Sequence, residues 1–504
     1  MTTSSSVVAE RDETGRIFYT TVGHSTDIPA KKVRTVASLP ALSHPTASRQ
    51  TARTTDTSRD RLFNEKPLQA LGRSISAIFL PAGYPNTVTP DYLHYQMYND
   101  VQEFCSSLSG LLASRGALEG FGVGNASASA TQALLLSVLK DVCSRFTTII
   151  GAYYFGTSLY PETKTFRFLA DVINDTSIVL DTISPYFTSI SLSTTSPYIP
   201  SGSTLQVAAL CMSGAMRSLC SLVAGGSKAA LTDHFASPVN SKGDVGELNA
   251  KNASRSTVVA LTGVLLGTLI VPYITTRTSI YTALFFLVFG HLLANYLAVR
   301  SVVLRSFNRQ RSSILWSTFR NTKAGADGRS VGLTPRDVSN REIILDIPSR
   351  IRDAVADRVI GHCSLGVSVQ YAMTRCNTPH VLKMLQHFQE QPYVLFVAES
   401  RSWGQRGPCI LVSFKEGYGS LDQLRAWLHA LEIAAMWSTR HMRPSVTSPS
   451  EIEDMALSAH ETLRKEFSGF MRCMNEAGWN IDEGAMTMGS PGSVIMSPET
   501  TKDA

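Results

Sequence analysis

The chain has 504 residues, which is room for two or three domains, with 43% apolar residues, 17% charged residues and a formal net charge of +6. Lysine and arginine form no dense stripe interleaved with aromatic residues, so nucleic acid is not an expected partner. The eight cysteines lack Cys-x-x-Cys spacing, and neither a metal site nor a disulfide framework is predicted. No short apolar run follows Met1, so a cleaved secretory signal is not expected.

The first segment, residues 1–72, is rich in Ser, Thr, Arg and Ala and shows little apolar periodicity. Such a composition buries too little apolar surface to offset the entropy of ordering, so the segment is predicted to be mostly disordered. Arg16–Val22 (RIFYTTV) is the exception. Its aromatic and β-branched residues predict a short strand that docks onto a later sheet.

Residues 73–315 are predicted to form a helical membrane domain. Four apolar helices rich in small residues are predicted in its first part, at 101–123, 127–155, 166–190 and 205–224. Glycine, alanine and serine recur in them, as expected where helices approach closely in lipid. Each segment also carries charge, so these helices are either full crossings or partly interfacial or buried among their neighbours.

Two longer segments end this domain. Ser256–Thr276 and Thr278–Val299 run 21 and 22 residues without a formal charge. A helix rises about 1.5 Å per residue, so each segment can cross a hydrocarbon core of about 30 Å. The sequence predicts a transmembrane hairpin, and the alternative is a pair of buried helices in a large soluble core. Basic residues flank both open ends, whereas the turn carries only Arg277, so both ends are expected on the cytoplasmic or equivalent side.

The predicted fold is therefore mainly α: a polytopic membrane bundle of about six helices, the last two best supported, followed by a smaller C-terminal α+β domain. Residues 316–345 are predicted as a linker in which Thr334-Pro335-Arg336-Asp337 starts a helix. The α+β domain is predicted at 346–485, with strands at Tyr393–Ala398 and Cys409–Phe414 and helices beginning at Ser420 and Ser450. Residues 486–504 are predicted to be a loose tail.

The sharpest candidate site lies in the third predicted helix. Arg167, Asp171 and Asp175 are spaced i, i+4, i+8, with Asn174 beside them, so the three charges share one helix face. Unpaired ions are costly in lipid, so these residues must pair internally or line a wet cavity. Two interpretations remain: a polar pathway or ligand site, and an ion pair that only holds helices together.

Two further pairs carry polar groups in apolar surroundings. Lys140 and Asp141 allow the same two interpretations, or mark the end of a helix. His291 and Asn295 lie one turn apart in the last membrane helix, where interhelical hydrogen bonding is the expected role. No nucleophile–base set is recognisable, so neither an enzyme nor a cofactor is predicted.

Five segments carry a family resemblance: LPAGYPNTVTPDYLHYQMYNDVQEFCSSLSG (80–110), GVGNASAS (122–129), FRFLADVINDTS (166–177), VAGGSKAALTDHFA (223–236) and ANYLAVRSVV (294–303). Over about residues 75 to 315 the chain resembles the root UV-B sensitive (RUS) family, whose domain is also called the vitamin B6 photo-protection and homeostasis domain. The resemblance implies a membrane-associated protein with a vitamin B6 vitamer as its small-molecule ligand. Lys228 stands where the family pattern has Arg, and Asn252 and Ser256 replace two acids.

Two functional hypotheses follow from the sequence and this resemblance. The first is a multi-pass protein of an unspecified membrane that moves or senses a small polar metabolite in vitamin B6 homeostasis. The second is a membrane-anchored adaptor whose C-terminal domain binds a protein partner or a homologous RUS subunit. A pyridoxal phosphate enzyme is the third and least supported interpretation, because no recognisable lysine context is present.

Overall fold

The computed structural model describes residues 6–12, 16–22, 79–121, 129–155, 159, 161–189, 202–239, 241–323, 332–399, 407–440, 449–481, 486 and 491–496. Within these ranges the fold is mainly helical, as predicted. Six long helices come first in the chain and pack against one another as a bundle. A mixed helix and sheet region follows and makes its own core.

The bundle helices differ from the predicted segments at their ends. They are α1 (Tyr92–Gly120), α2 (Ala130–Phe155), α3 (Thr163–Ile183), α4 (Gly202–Phe235), α5 (Val245–Ile270) and α6 (Arg277–Ser301). Helix α4 continues well past its predicted end at residue 224. Helix α5 begins before the uncharged run, because the Asp244 carboxylate caps it by accepting hydrogen bonds from the backbone N–H groups of Gly246 and Glu247.

Small residues let the bundle helices approach closely. A Cβ added at Gly116 of α1 would lie 2.7 Å from backbone atoms of α3. On α5, a Cβ at Gly263 or Gly267 would collide with side chains of α1. These contacts have the small-residue character expected of helices packed in lipid.

Three bundle helices are long and apolar enough to cross a membrane: Gly202–Phe235, Val245–Tyr273 and Arg277–Ser301. The last two correspond to the predicted hairpin. No other helix in the described part of the chain meets that length and apolarity. The structure therefore supplies three apolar helices, and the count of about six crossings stays a prediction.

The sheet of the second region joins both ends of the chain. Its strands are β1 (Ser6–Asp12), β2 (Ile17–Val22), β3 (Arg350–Asp353), β4 (Arg358–Leu365), β5 (Tyr393–Glu399), β6 (Pro408–Lys415) and β7 (Ser493–Ile495). The order is β2-β1-β7-β6-β4-β3, and β5 also pairs with β6. Strand β6 runs parallel to β4 and β7, and the other pairs are antiparallel.

The N-terminal strand predicted at 16–22 is confirmed as β2, and it docks onto the later sheet through β1. Glu10 of β1 is fully buried. Its carboxylate accepts hydrogen bonds from Val369 N and Ser493 Oγ, both at 2.8 Å. The tail predicted to be loose therefore contains an ordered strand, because β7 fills the gap between β1 and β6.

The described part of this region also contains six helices: α7 (Arg309–Lys323), α8 (Pro335–Arg341), α9 (Val369–Arg375), α10 (Thr378–His387), α11 (Ser420–Arg440) and α12 (Pro449–Glu476). Helix α8 begins with the predicted capping box at Thr334 and Asp337. The strands at 393–398 and 409–414 are confirmed as an antiparallel pair.

The segment 316–345, predicted as a linker, is folded where the structure describes it. Trp316 and Phe319 of α7 are buried and pack edge-on against Phe470 of α12. Trp316 Nε1 also donates to Glu432 Oε1 at 2.6 Å. The linker prediction is wrong for α7. The stretch is polar on average, but two large aromatic residues lie on one helix face and are buried. The placement of the domain boundaries themselves stays a prediction.

Candidate functional site

The charged face predicted on α3 points into the bundle. Arg167, Asp171 and Asp175 are 7%, 5% and 3% exposed, although α5 and α6 present large apolar side chains to the outside. Exposed members include Leu261, Leu265, Leu269, Phe285, Phe286 and Phe289. The bundle therefore buries charged side chains in its interior and exposes large apolar side chains along α5 and α6, the reverse of the usual distribution in a soluble helical protein.

Arg167 is the centre of the interior hydrogen-bond network. Its Nη1 contacts Asp171 Oδ2 at 2.8 Å. Its other donors reach α1: Nε donates to Tyr95 Oη at 3.2 Å, and Nη2 donates to Asn99 Oδ1 at 3.3 Å and Gln102 Oε1 at 3.1 Å. Gln102 Nε2 in turn donates to Asp171 Oδ2. The Arg167–Asp171 pair is thus well supplied with partners, as a structural ion pair requires.

Asp175 has a different environment one turn further along. Its Oδ2 is hydrogen-bonded to His291 Nδ1 at 2.8 Å, whereas its buried Oδ1 has no partner among the described residues. Asn295 Nδ2 donates to the Arg167 carbonyl oxygen at 3.4 Å. The interhelical hydrogen bonding predicted for His291 and Asn295 is confirmed. A buried carboxylate oxygen without a donor can accept a proton, a water or a polar ligand.

A second buried carboxylate, Asp181, lies near the end of α3. Lys140 Nζ contacts its Oδ1 and Arg217 Nη2 its Oδ2, each at 2.8 Å. Ser213 Oγ also donates to Asp181 Oδ1. The interpretation of Lys140 and Asp141 as a helix end is wrong, because both lie in the middle of α2, where Asp141 is exposed. Two bases on one acid indicate a structural role for Lys140.

The remaining sequence candidates lie apart from the Arg167 network. Asn174 is half-buried and Lys228 is exposed on α4. Asn252 Oδ1 accepts hydrogen bonds from Tyr92 Oη at 3.0 Å and Gln96 Nε2 at 2.9 Å. An amide oxygen therefore accepts both bonds at this position, where the family pattern has an acid.

A third buried cluster lies between the bundle and the C-terminal region. Glu342 is 6% exposed, and its carboxylate contacts Lys164 Nζ of α3 and Arg311 Nη1 of α7, the latter at 2.8 Å. Burial raises the pKa of Glu342, but the two cations outweigh it and hold that pKa below its ordinary value. Lys164 Nζ also donates to Ser339 Oγ at 2.9 Å. This cluster fixes the C-terminal region to the start of α3.

A cavity of about 480 Å³ opens beside this cluster. One wall is the start of α1 and the ends of α4 and α6, and the other is α8 with Gly478. Asp91 in this cavity contacts His234 Nε2 at 3.0 Å and accepts from Val303 N at 2.8 Å. Burial raises the pKa of Asp91, but these partners outweigh burial and lower it. We call this cavity the junction cavity.

Two family models cover most of the folded chain. The model described as "Vitamin B6 photo-protection and homoeostasis domain" matches residues 65–323, and the model described as "Root UVB sensitive protein, C-terminal" matches residues 357–488. The chain belongs to the root UVB sensitive family. The resemblance read from residues 75 to 315 is confirmed, and the second model carries the family similarity through the C-terminal region to residue 488.

Root UVB sensitive relatives come from distant organisms. The chain is 34% identical to "RUS family member 1" of Dictyostelium discoideum over 272 residues, which is 53% of this chain and 47% of that relative. It is 26% identical to "Protein root UVB sensitive 3" of Arabidopsis thaliana over 414 residues, covering 81% of this chain and 83% of that relative. No solved structure matches the chain.

Sequence reasoning missed the α1 side of this root UVB sensitive site. Tyr95, Asn99 and Gln102 are spaced i, i+4, i+7, so they share one helix face. That polar stripe was readable in the sequence and would have indicated the partner surface for Arg167. Asp181 was also missed, because its partners come from two other helices and leave no local signal in the sequence.

Proposed function

We propose that this root UVB sensitive protein is an integral membrane protein that transports or senses a small polar metabolite in vitamin B6 homeostasis. One observation carries the proposal: the ionisable side chains of Arg167, Asp171 and Asp175 are buried inside the bundle, while large apolar side chains are exposed on α5 and α6. Ionisable residues within membrane helices face the bundle interior and commonly mark substrate or proton pathways. Large exposed apolar surfaces are in turn unusual for a soluble monomer.

Within the interior, Asp175 is the residue proposed to act on the metabolite. The Arg167–Asp171 pair already satisfies its main polar groups, so it has a structural role in the proposal. Asp175 shares only one oxygen with His291, and its second oxygen is available to a hydroxyl or pyridinium donor.

The adaptor alternative rests on a different surface. Strand β2 ends the sheet in the described part of the chain, and Tyr19 on it is 62% exposed. An open groove lined by residues 18–21, Gln370, Met373 and Thr374 lies beside it. An exposed strand edge can accept an extended peptide by backbone hydrogen bonding. Under this alternative the bundle is only an anchor.

Uptake of labelled pyridoxine and pyridoxal into proteoliposomes tests the proposal. Wild-type protein should give saturable uptake, or saturable binding without uptake if the protein is a sensor. Asp175→Asn should remove that activity while the protein stays folded and inserted. Asp141→Asn, an exposed acid on α2, is the matched control and should behave as wild type.

Neither binding nor uptake by wild-type protein would overturn the proposal. If wild type and Asp175→Asn are equally active, Asp175 does not act on the metabolite. The interior charges then have only a structural role. Saturable binding without uptake into proteoliposomes would favour sensing over transport.

A further inference from the structure

We propose that the junction cavity is a binding site for a phosphate monoester. The inference concerns a site separate from Asp175 and goes beyond the proposed function, because binding can be measured on detergent-solubilised protein whether or not transport occurs. The charge of the cavity, its size and its position between two regions support this proposal.

Three arginines line the cavity: Arg300 at the end of α6, Arg305 in the following loop and Arg336 in α8. Within the described ranges, none of them has a carboxylate at ion-pair distance. Arg300 and Arg305 donate to backbone carbonyls, of Glu342 at 3.4 Å and Ser237 at 2.7 Å. Each guanidinium has five N–H donors, so most of their donors face the cavity or solvent.

Negative charge in the described lining comes from Asp91 alone, and that carboxylate is already bound by His234 and Val303 N. With the histidines neutral, three arginines and one aspartate give the lining a formal charge of +2. A phosphate monoester carries about −1.5 to −2 at pH 7. Guanidinium groups also match phosphate oxygens by paired hydrogen bonds. Charge and donor geometry therefore favour phosphate over a single carboxylate.

The cavity also has room for the organic part of such a ligand. Its volume of about 480 Å³ falls within the range of roughly 300–1,000 Å³ typical of small-molecule sites. Pro90, Pro238, Val239 and Pro335 give it an apolar surface beside the arginines. A small ring or aliphatic body can pack there while the phosphate contacts the guanidinium groups.

Lysine does not occur among the described lining residues. An aldehyde on the ligand therefore has no lining amine with which to form a Schiff base. Binding is predicted to be reversible and to depend on the phosphate, so an alcohol and an aldehyde with the same phosphate should bind alike. This separates the junction cavity from a pyridoxal phosphate enzyme site.

Arg300 belongs to the bundle, whereas Arg336 belongs to a helix whose Val338 lies in the C-terminal core. A ligand held by both would bridge the two regions. Arg300 also ends an apolar helix long enough to cross a membrane, so a phosphate monoester could arrive as a soluble metabolite or as the headgroup of phosphatidic acid. Both sources share the chemistry that the cavity recognises.

Calorimetric titration of the full-length protein in phosphate-free detergent tests the proposal. The probes are pyridoxine 5′-phosphate, pyridoxal 5′-phosphate, unphosphorylated pyridoxine, and nanodiscs with or without phosphatidic acid. Both soluble esters should bind saturably and with similar affinity, and pyridoxine should not. If phosphatidic acid alone binds, the phosphate site stands and its natural ligand is a lipid headgroup.

Arg336→Gln should weaken ester binding at least tenfold and, because Arg336 is exposed, should leave the melting temperature of the free protein unchanged. Arg305→Gln should weaken it in the same direction. Arg341→Gln is the matched control: it lies on the same short helix, is exposed and does not line the cavity. Equal binding of pyridoxine and its phosphate, or undiminished binding in Arg336→Gln, would overturn the proposal.

Discussion

Replacing Glu342 by glutamine should be the most destabilising conservative change at the boundary between bundle and C-terminal region. The carboxylate is buried and contacts both Lys164 and Arg311. Removing one partner of a buried ion pair costs about 3–5 kcal/mol. Lys164 keeps its bond to Ser339 Oγ, and Arg311 keeps the one to the Ser306 carbonyl at 2.7 Å. The lower end of that range, about 3 kcal/mol, is therefore expected.

Urea denaturation in detergent, followed by tryptophan fluorescence, measures this loss. Trp316, Trp427 and Trp479 are buried in the C-terminal core, so their emission reports its unfolding. Glu461→Gln is the matched control, because that glutamate forms only exposed contacts with Arg464 and a lysine on α12, and it should leave the midpoint unchanged. The reasoning fails if Glu342→Gln and Glu461→Gln unfold at the same urea concentration.

The same carboxylate predicts how stability responds to acid. Because the cations hold the pKa of folded Glu342 below that of the unfolded chain, the unfolded state binds more protons and stability rises with pH. The contribution is complete above the unfolded value of about 4.3 and is lost as pH falls through the folded value. Wild-type protein should lose stability below that pH more steeply than Glu342→Gln, and parallel pH profiles would contradict the assignment.

Three further predictions concern the bundle. Gly116→Ala should lower the unfolding free energy by about 1–3 kcal/mol through its clash with the α3 backbone, whereas Gly110→Ala, with no heavy atom within 4 Å, should be neutral or stabilising in the same melts. Asp171→Asn should lower the unfolding free energy by about 3–5 kcal/mol in urea denaturation, because it leaves a buried guanidinium without its carboxylate partner. An unchanged midpoint would contradict the ion pair. Cysteines placed at Tyr273 and Val355 in a cysteine-free background should label from opposite sides of sealed vesicles, and equal labelling would refute the hairpin topology.

The elements predicted from sequence were those with a strong local signal. Length alone predicts that the two uncharged runs at the end of the bundle are long helices. Residue type alone predicts the strands at 393–398 and 409–414. Strand β7 was missed because it has only three residues and forms part of the sheet only by pairing with β1 and β6. Strand β1 was missed although it pairs with the adjacent β2, because the surrounding segment has the composition of a disordered chain. Helix α7 was missed because most residues that follow Trp316 and Phe319 are polar, and the average composition of residues 316–345 is typical of a linker.

The candidate site divides in the same way. Helical spacing alone placed Arg167, Asp171 and Asp175 on one face, because residues four apart on a helix are neighbours. Spacing could not show the other partners of the two carboxylates, because Gln102 lies on α1 and His291 lies on α6. The junction cavity was beyond sequence reasoning altogether: Arg300 and Arg336 come from separate elements, and only the fold brings them together.

If α5 and α6 cross a membrane as proposed, lipid lies at their outer face, and spin labels measure this directly. Nitroxides attached at Leu265 and Phe286, both exposed in the structure, would be compared with one at Val355 after reconstitution into bilayers. The two bundle labels should be relaxed strongly by oxygen and hardly by a water-soluble nickel chelate, with the reverse at Val355. Free access of the nickel chelate to Leu265 and Phe286 would place those side chains in water and contradict the membrane assignment.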